Sequence, residues 1–77
     1  GAAQPADVSR LIEHGDCVRC DLTGADLREA DVRGADLTDA VLLKADLRST
    51  DFRKSVLETA KLSDANLDGA YLDQVDL

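Results

Sequence analysis

The chain has 77 residues, with 16 acidic against 9 basic side chains and a formal net charge of −7, so it is one domain at most and its surface repels the phosphate backbone of nucleic acids. Hydrophobic residues make up 44% of it, but Phe52 and Tyr71 are the only aromatics and Trp and Met are absent. Disorder is therefore a poor reading, yet the large side chains that fill a small globular core are missing. No apolar run reaches membrane-spanning length, and no basic amphipathic stretch suits a membrane surface.

Residues 1–14 read as a tail and a short helix, "PADVSRLIEHG". Asp7 is the expected cap, Val8, Leu11 and Ile12 fall on one face, and Gly15 is the expected stop. That apolar face would serve as a lid over whatever follows. His14, in the last helical turn, is expected to be no more than a partner of the helix dipole.

From Gly15 the text runs in fives: GDCVR, CDLTG, ADLRE, ADVRG, ADLTD, AVLLK, ADLRS, TDFRK, SVLET, AKLSD, ANLDG, AYLDQ, then VDL. The third residue of each unit is large and apolar, from Cys17, Leu22, Leu27 and Val32 to Leu72 and Leu77. The first is small in nearly every unit. Period five suits neither regular element. On a helix, steps of five turn about 140° past a full circle and scatter the leucines over every side. On a flat strand they alternate between faces. A chain that turns a corner every five residues keeps both the small and the large residue inward, with Gly24, Gly34 and Gly69 at the corners.

This pattern resembles the pentapeptide-repeat family, whose consensus is A-(D/N)-L-x-x, over residues 15–77. The resemblance implies a right-handed quadrilateral β-helix, an all-β fold with four units per coil, about three coils here, and a short N-terminal capping helix. Residues 1–14 would be the tail and helix, and 15–77 the solenoid. Residues twenty apart would then stack, giving the inward columns Leu22–Leu42–Leu62, Leu27–Leu47–Leu67, Val32–Phe52–Leu72 and Cys17–Leu37–Leu57–Leu77, all apolar. At the usual strand spacing of about 4.8 Å the stub would stand roughly 15 Å tall. Thr50 and Ser55 replace the small apolar residue, and their hydroxyls are expected to bond neighbouring backbone. The last unit stops at Leu77 without a cap, where either a second copy stacks or the chain continues.

Cys17 and Cys20 fall at a large and a small inward position of this repeat. Redox chemistry of the thioredoxin type needs a helix start in a βαβ setting, and zinc needs four ligands where His14, Cys17 and Cys20 offer three. No metal and no cofactor is expected. The two cysteines flank a corner whose ends usually lie within about 7 Å, so either a disulfide or a pair of buried thiols fits, and a disulfide would indicate an oxidising compartment.

Outside, the carboxylates repeat as ladders, Asp26–Asp46–Asn66 and Asp31–Asp51–Tyr71, which read as solvated walls rather than acid/base pairs. Arg28, Arg33, Arg48 and Arg53 each follow an Asp by two residues. Residues 58–77 are acidic apart from Lys61. Val41, Leu43 and Val56 point outward and form a candidate patch for a protein partner. The reading is a non-enzymatic interaction or scaffold module. The alternatives are a DNA-mimic of the gyrase-interacting kind, which some family members are and which the acidity suits, and an element that stacks end to end. Helix-capped family members with a cysteine pair look like those of cyanobacteria and plastids, which implies the thylakoid lumen or periplasm, and otherwise the cytoplasm.

Overall fold

The structure, a computed structural model, describes residues 2–77. It measures 29 × 22 × 21 Å. One helix, α1 (Pro5–His14), precedes a solenoid. Pro5 sits in the first turn, where its missing N–H costs nothing. Gly15 ends α1 in the left-handed conformation (φ 69°) and donates its N–H to the carbonyls of Arg10 and Leu11.

Two details of the lid differ from expectation. Asp7 does not cap the helix. Gln4 is the N-cap residue and makes no side-chain capping bond. The Asp7 carboxylate instead accepts the backbone N–H of Asp21 at 2.8 Å, a donor in the first coil that has no coil above it to serve it. The buried face is also narrower than Val8, Leu11 and Ile12. Leu11 is buried and Val8 packs against the core, but Ile12 is 49% exposed. One residue is 100° of helix, which carries Ile12 away from the coil that Leu11 covers.

Each unit of the solenoid ends in a β-turn. In all twelve corners the N–H of the next small residue donates to the carbonyl of the large one, from Cys20 to Cys17 at 3.1 Å to Val75 to Leu72 at 3.3 Å. The residue before the small one has positive φ at every corner. It is glycine at Gly24, Gly34 and Gly69 and a side-chain-bearing residue, such as Arg19, Lys44 or Thr59, at nine others. Positive φ at the third turn position alone defines a type II turn.

Successive turns of the solenoid pair in parallel at an offset of twenty residues, Asp16 with Asp36, Val41 with Lys61, and so on through Val56 with Asp76. Each side uses the same three bonds. On one side Leu22 N–H donates to Val41 O at 2.7 Å, Gly24 N–H to Leu43 O at 2.7 Å, and Val41 N–H to Cys20 O at 2.9 Å. Twenty residues hold four units, so the cross-section has four sides. The all-β expectation is met by single-residue bridges rather than by continuous strands, because five residues, less a turn, leave only one bridged position on each straight side.

The inward columns close on a narrow core in which Leu22, Leu37, Leu42, Leu47 and Phe52 are fully buried. Burial fades toward the far end. Leu62 and Leu67 are half-buried, while Leu72 is 46% and Leu77 82% exposed. Thr50 and Ser55 are both buried at the small position. The Thr50 hydroxyl donates to Leu27 O at 2.6 Å, as expected. The Ser55 hydroxyl does not meet the expectation: it has no partner. Val32 O, which stands to Ser55 as Leu27 O stands to Thr50, accepts no bond from it.

Candidate surfaces of the solenoid

The outward carboxylates do more than solvate the walls. In most units the Asp before the large residue accepts the N–H of the residue two positions on: Thr23 to Asp21 at 3.2 Å, Arg28 to Asp26 at 3.2 Å, Arg33 to Asp31 at 3.2 Å, Thr38 to Asp36 at 3.1 Å and Arg53 to Asp51 at 3.1 Å. This is an Asx-turn, and it satisfies the corner amide that the ladder leaves free. Asn66 does the same for Asp68 at 3.0 Å. The second residue on then returns its side chain. Thr23 and Thr38 donate a hydroxyl, and Arg28, Arg33, Arg48 and Arg53 grip the carboxylate with two nitrogens, at 2.6–2.9 Å.

These bonds hold the carboxyls acidic. The Arg28 side chain, and then its backbone N–H, bring Asp26 from 3.8 to about 2, and Arg33 does the same for Asp31. Asp46 and Asp51 are lowered first by the side chains of Arg48 and Arg53. Asp21 and Asp36 are lowered first by the hydroxyls of Thr23 and Thr38. Weaker contacts link turns of the solenoid, Arg28 Nε to Asp46 at 3.7 Å and Arg33 Nε to Asp51 at 3.8 Å. Arg53 lies over the Tyr71 ring, 5.6 Å from its centre. Exposed pairs of this kind stabilise little one by one, but on these two adjacent walls each of Asp26, Asp31, Asp46 and Asp51 is matched by an arginine.

The candidate partner patch lies on the other two walls. Val41 and Leu43 share one wall and Val56 stands on its neighbour, and all three are half-buried. Val41 sits between Asp21 and Lys61, and Val56 between Asp36 and Asp76. A valine at the Asx position offers no acceptor, and among the described residues Leu43 N–H and Glu58 N–H have no partner.

Cys17 and Cys20 are fully buried at the first corner and joined as a disulfide, with Cα atoms 5.1 Å apart. The Cys17 sulfur also packs 3.4 Å from Asp7 O, under the lid. His14 is exposed at the end of α1. Beside it opens a groove of about 620 Å³ lined by Ile12, His14, Arg33, Arg53 and Lys54 among others. Neither this groove nor the Asx role of the carboxylates is foreseen in the sequence, although the Asp-x-Arg spacing that makes the Arg grip possible stands in plain view. Among the described residues, no three His, Cys, Asp or Glu side chains gather so as to hold a metal ion, and no helix is long and apolar enough to cross a membrane.

A closed four-sided stack of five-residue units with parallel pairing at twenty residues is a β-solenoid. Its repeats match those described as pentapeptide repeats, in eight copies over residues 16–53 and 44–77, and the chain belongs to the pentapeptide-repeat family, with the right-handed β-helix that the family forms. It is similar to the crystal structure of a pentapeptide repeat protein, Rfr23, from the cyanobacterium Cyanothece 51142, with 30% identity and a TM-score of 0.72 over 79% of this chain. The match covers 40% of the Rfr23 chain. No curated protein matches.

Proposed function

We propose that the protein is a non-enzymatic interaction module, a stub of about three coils that binds a protein partner through the wall positions Val41, Leu43 and Val56. One observation carries this reading. Most units place an Asp or Asn at the bridged outward position and use it to satisfy the corner amide. The units of Val41 and Val56 forgo that bond and present apolar surface instead, on adjacent walls of the solenoid. A local hydrogen bond is given up where a contact surface is gained.

The experiment is a comparative pull-down with the Val41→Ser, Leu43→Ser, Val56→Ser variant, its fold checked by circular dichroism. Loss of partners that the unsubstituted chain retains supports the patch, and an unchanged partner set removes it. The Cys17–Cys20 bond supports an oxidising compartment such as the thylakoid lumen or the periplasm. Alkylation without reductant of protein isolated from its source, read by mass, tests that: two labelled thiols contradict it.

A further inference from the structure

The groove beside His14 lies at the corner where α1 joins the solenoid. Gly15 O accepts Asp36 N–H at 2.8 Å, as Ala35 O one coil later accepts Val56 N–H at 2.9 Å, so α1 enters the stack in register. Glu13 and His14 then continue the columns of Arg33 with Arg53 and of Gly34 with Lys54, and all six line the groove. Gly34 has no side chain, and even an added Cβ would meet nothing within 4 Å. That gap leaves room between His14 and Lys54, on the side of the molecule.

Three features of the groove point to one kind of ligand. The first is a set of prepared cations. Asp31 and Asp51 each hold the Nε and Nη2 of their arginine at 2.6–2.9 Å. This fixes both guanidinium groups, and among the described residues their Nη1 N–H groups have no acceptor. Lys54 has no ion-pair partner there either. A fixed guanidinium with a free edge is arranged for a carboxylate at little cost in ordering. The second feature is the last turn of α1, where the carbonyls of Ile12, Glu13 and His14 accept no N–H among the described residues. That flank calls for a donor. The third is Ile12, an apolar flank that is 49% exposed. The lining carries Arg33, Arg53 and Lys54 against Glu13 and Asp31, one positive charge in excess. A single carboxylate balances that charge. A polyanion would meet the field of a chain whose net charge is −7.

We infer that this groove binds the C-terminal residue of a partner peptide. Its carboxylate sits on the free edge of Arg33 and on Lys54, its N–H faces the last carbonyls of α1, and its apolar side chain packs on Ile12. The groove, about 620 Å³, is separate from the patch of Val41, Leu43 and Val56, none of which lines it.

The test is a titration of the labelled protein with acetyl-alanyl-leucine, followed by amide NMR shifts. Saturable shifts are expected at Gly34, Ala35 and Lys54. Two variants remove the cations while keeping the local structure. Arg33→Thr repeats the pairing of Thr23 with Asp21 and of Thr38 with Asp36. Lys54→Gln installs the residue that Gln74 supplies at the same corner one coil later, also at positive φ. Each is expected to weaken binding about tenfold. Arg28→Thr removes the same charge from the adjacent wall and is expected to leave binding unchanged. The C-terminal amide of the peptide, which lacks the carboxylate, and hexanoate, which lacks the N–H, are both expected to bind more weakly than the acid. Shifts that do not saturate, an amide or hexanoate that binds as tightly as the acid, or an Arg28→Thr loss equal to that of Arg33→Thr overturns the proposal.

Discussion

The Thr50 hydroxyl donates to the Leu27 carbonyl of the preceding coil at 2.6 Å, while the Ser55 hydroxyl, one unit further along and just as buried, has no partner. A buried hydroxyl without a partner costs about 1–3 kcal/mol, and a buried bond contributes roughly 1 kcal/mol. Ser55→Ala should therefore raise stability by about 1 kcal/mol, and Thr50→Val should lower it by a similar amount. Urea unfolding followed by circular dichroism checks both. A loss of stability in Ser55→Ala would show that the serine has a partner after all.

Thr59 takes φ 56° at its corner, a conformation that costs a β-branched residue of the order of 1–2 kcal/mol. Its hydroxyl offsets part of that by bonding Asp39 and the Glu58 carbonyl. Thr59→Gly should leave stability level or raise it by up to about 1 kcal/mol. Gly24→Ala, where nothing stands within 4 Å of an added Cβ, should lower it by about 1 kcal/mol from the backbone alone. Equal effects of the two substitutions on the urea midpoint would contradict the turn assignment.

Acid should weaken the walls in a defined window. Asp26 and Asp31 titrate near 2 in the folded chain against 3.8 ordinarily. Because the folded pKa is the lower one, their contribution is complete above about pH 4 and is lost as pH falls toward about 2. Thermal unfolding between pH 6 and pH 2 should show the midpoint dropping in that window. The Asp26→Asn, Asp31→Asn variant keeps the Asx acceptor, as Asn66 does, and should show a shallower drop. The same slope in both proteins would remove the pairs as its cause.

The Cys17–Cys20 ring is short, so in the chain-entropy model the bond stabilises by only about 2 kcal/mol. Reduction should lower the unfolding midpoint modestly and leave a folded protein, because both side chains stay buried under α1. Complete unfolding on reduction, by circular dichroism in the presence of a phosphine, would mean that the first corner carries far more of the fold.

The stacking is legible in the chain because every inward column at twenty residues is apolar, and Gly15 announces the end of α1. The inward placement of Cys17 and Cys20 also follows from the repeat. What the chain hides is of another kind. Ala3 and Gln4 donate backbone N–H groups to Thr23 O at 2.8 Å and Asp21 O at 3.1 Å, which no side-chain pattern records, and Asp7 looks like a helix cap because Asp in a first turn usually is one. The Asp ladder reads as solvation since its partner is an amide two residues on, visible only once the corner is built. Ser55 fails because a sequence shows that a hydroxyl is buried but not whether a carbonyl lies within its reach.

The sharpest single check is amide hydrogen exchange, resolved by residue, on a twenty-residue stack whose first coil is closed on one side by α1 and the tail. Slow exchange is expected at Leu22, Val41, Leu42 and Leu47, and at Asp21 under the Asp7 carboxylate. Fast exchange is expected at Asp26 and Asp31 in the same coil, whose N–H groups no lid bond serves. Asp21 exchanging as fast as Asp26, or Val41 and Leu42 exchanging as fast as Asp31, would contradict the lidded stack.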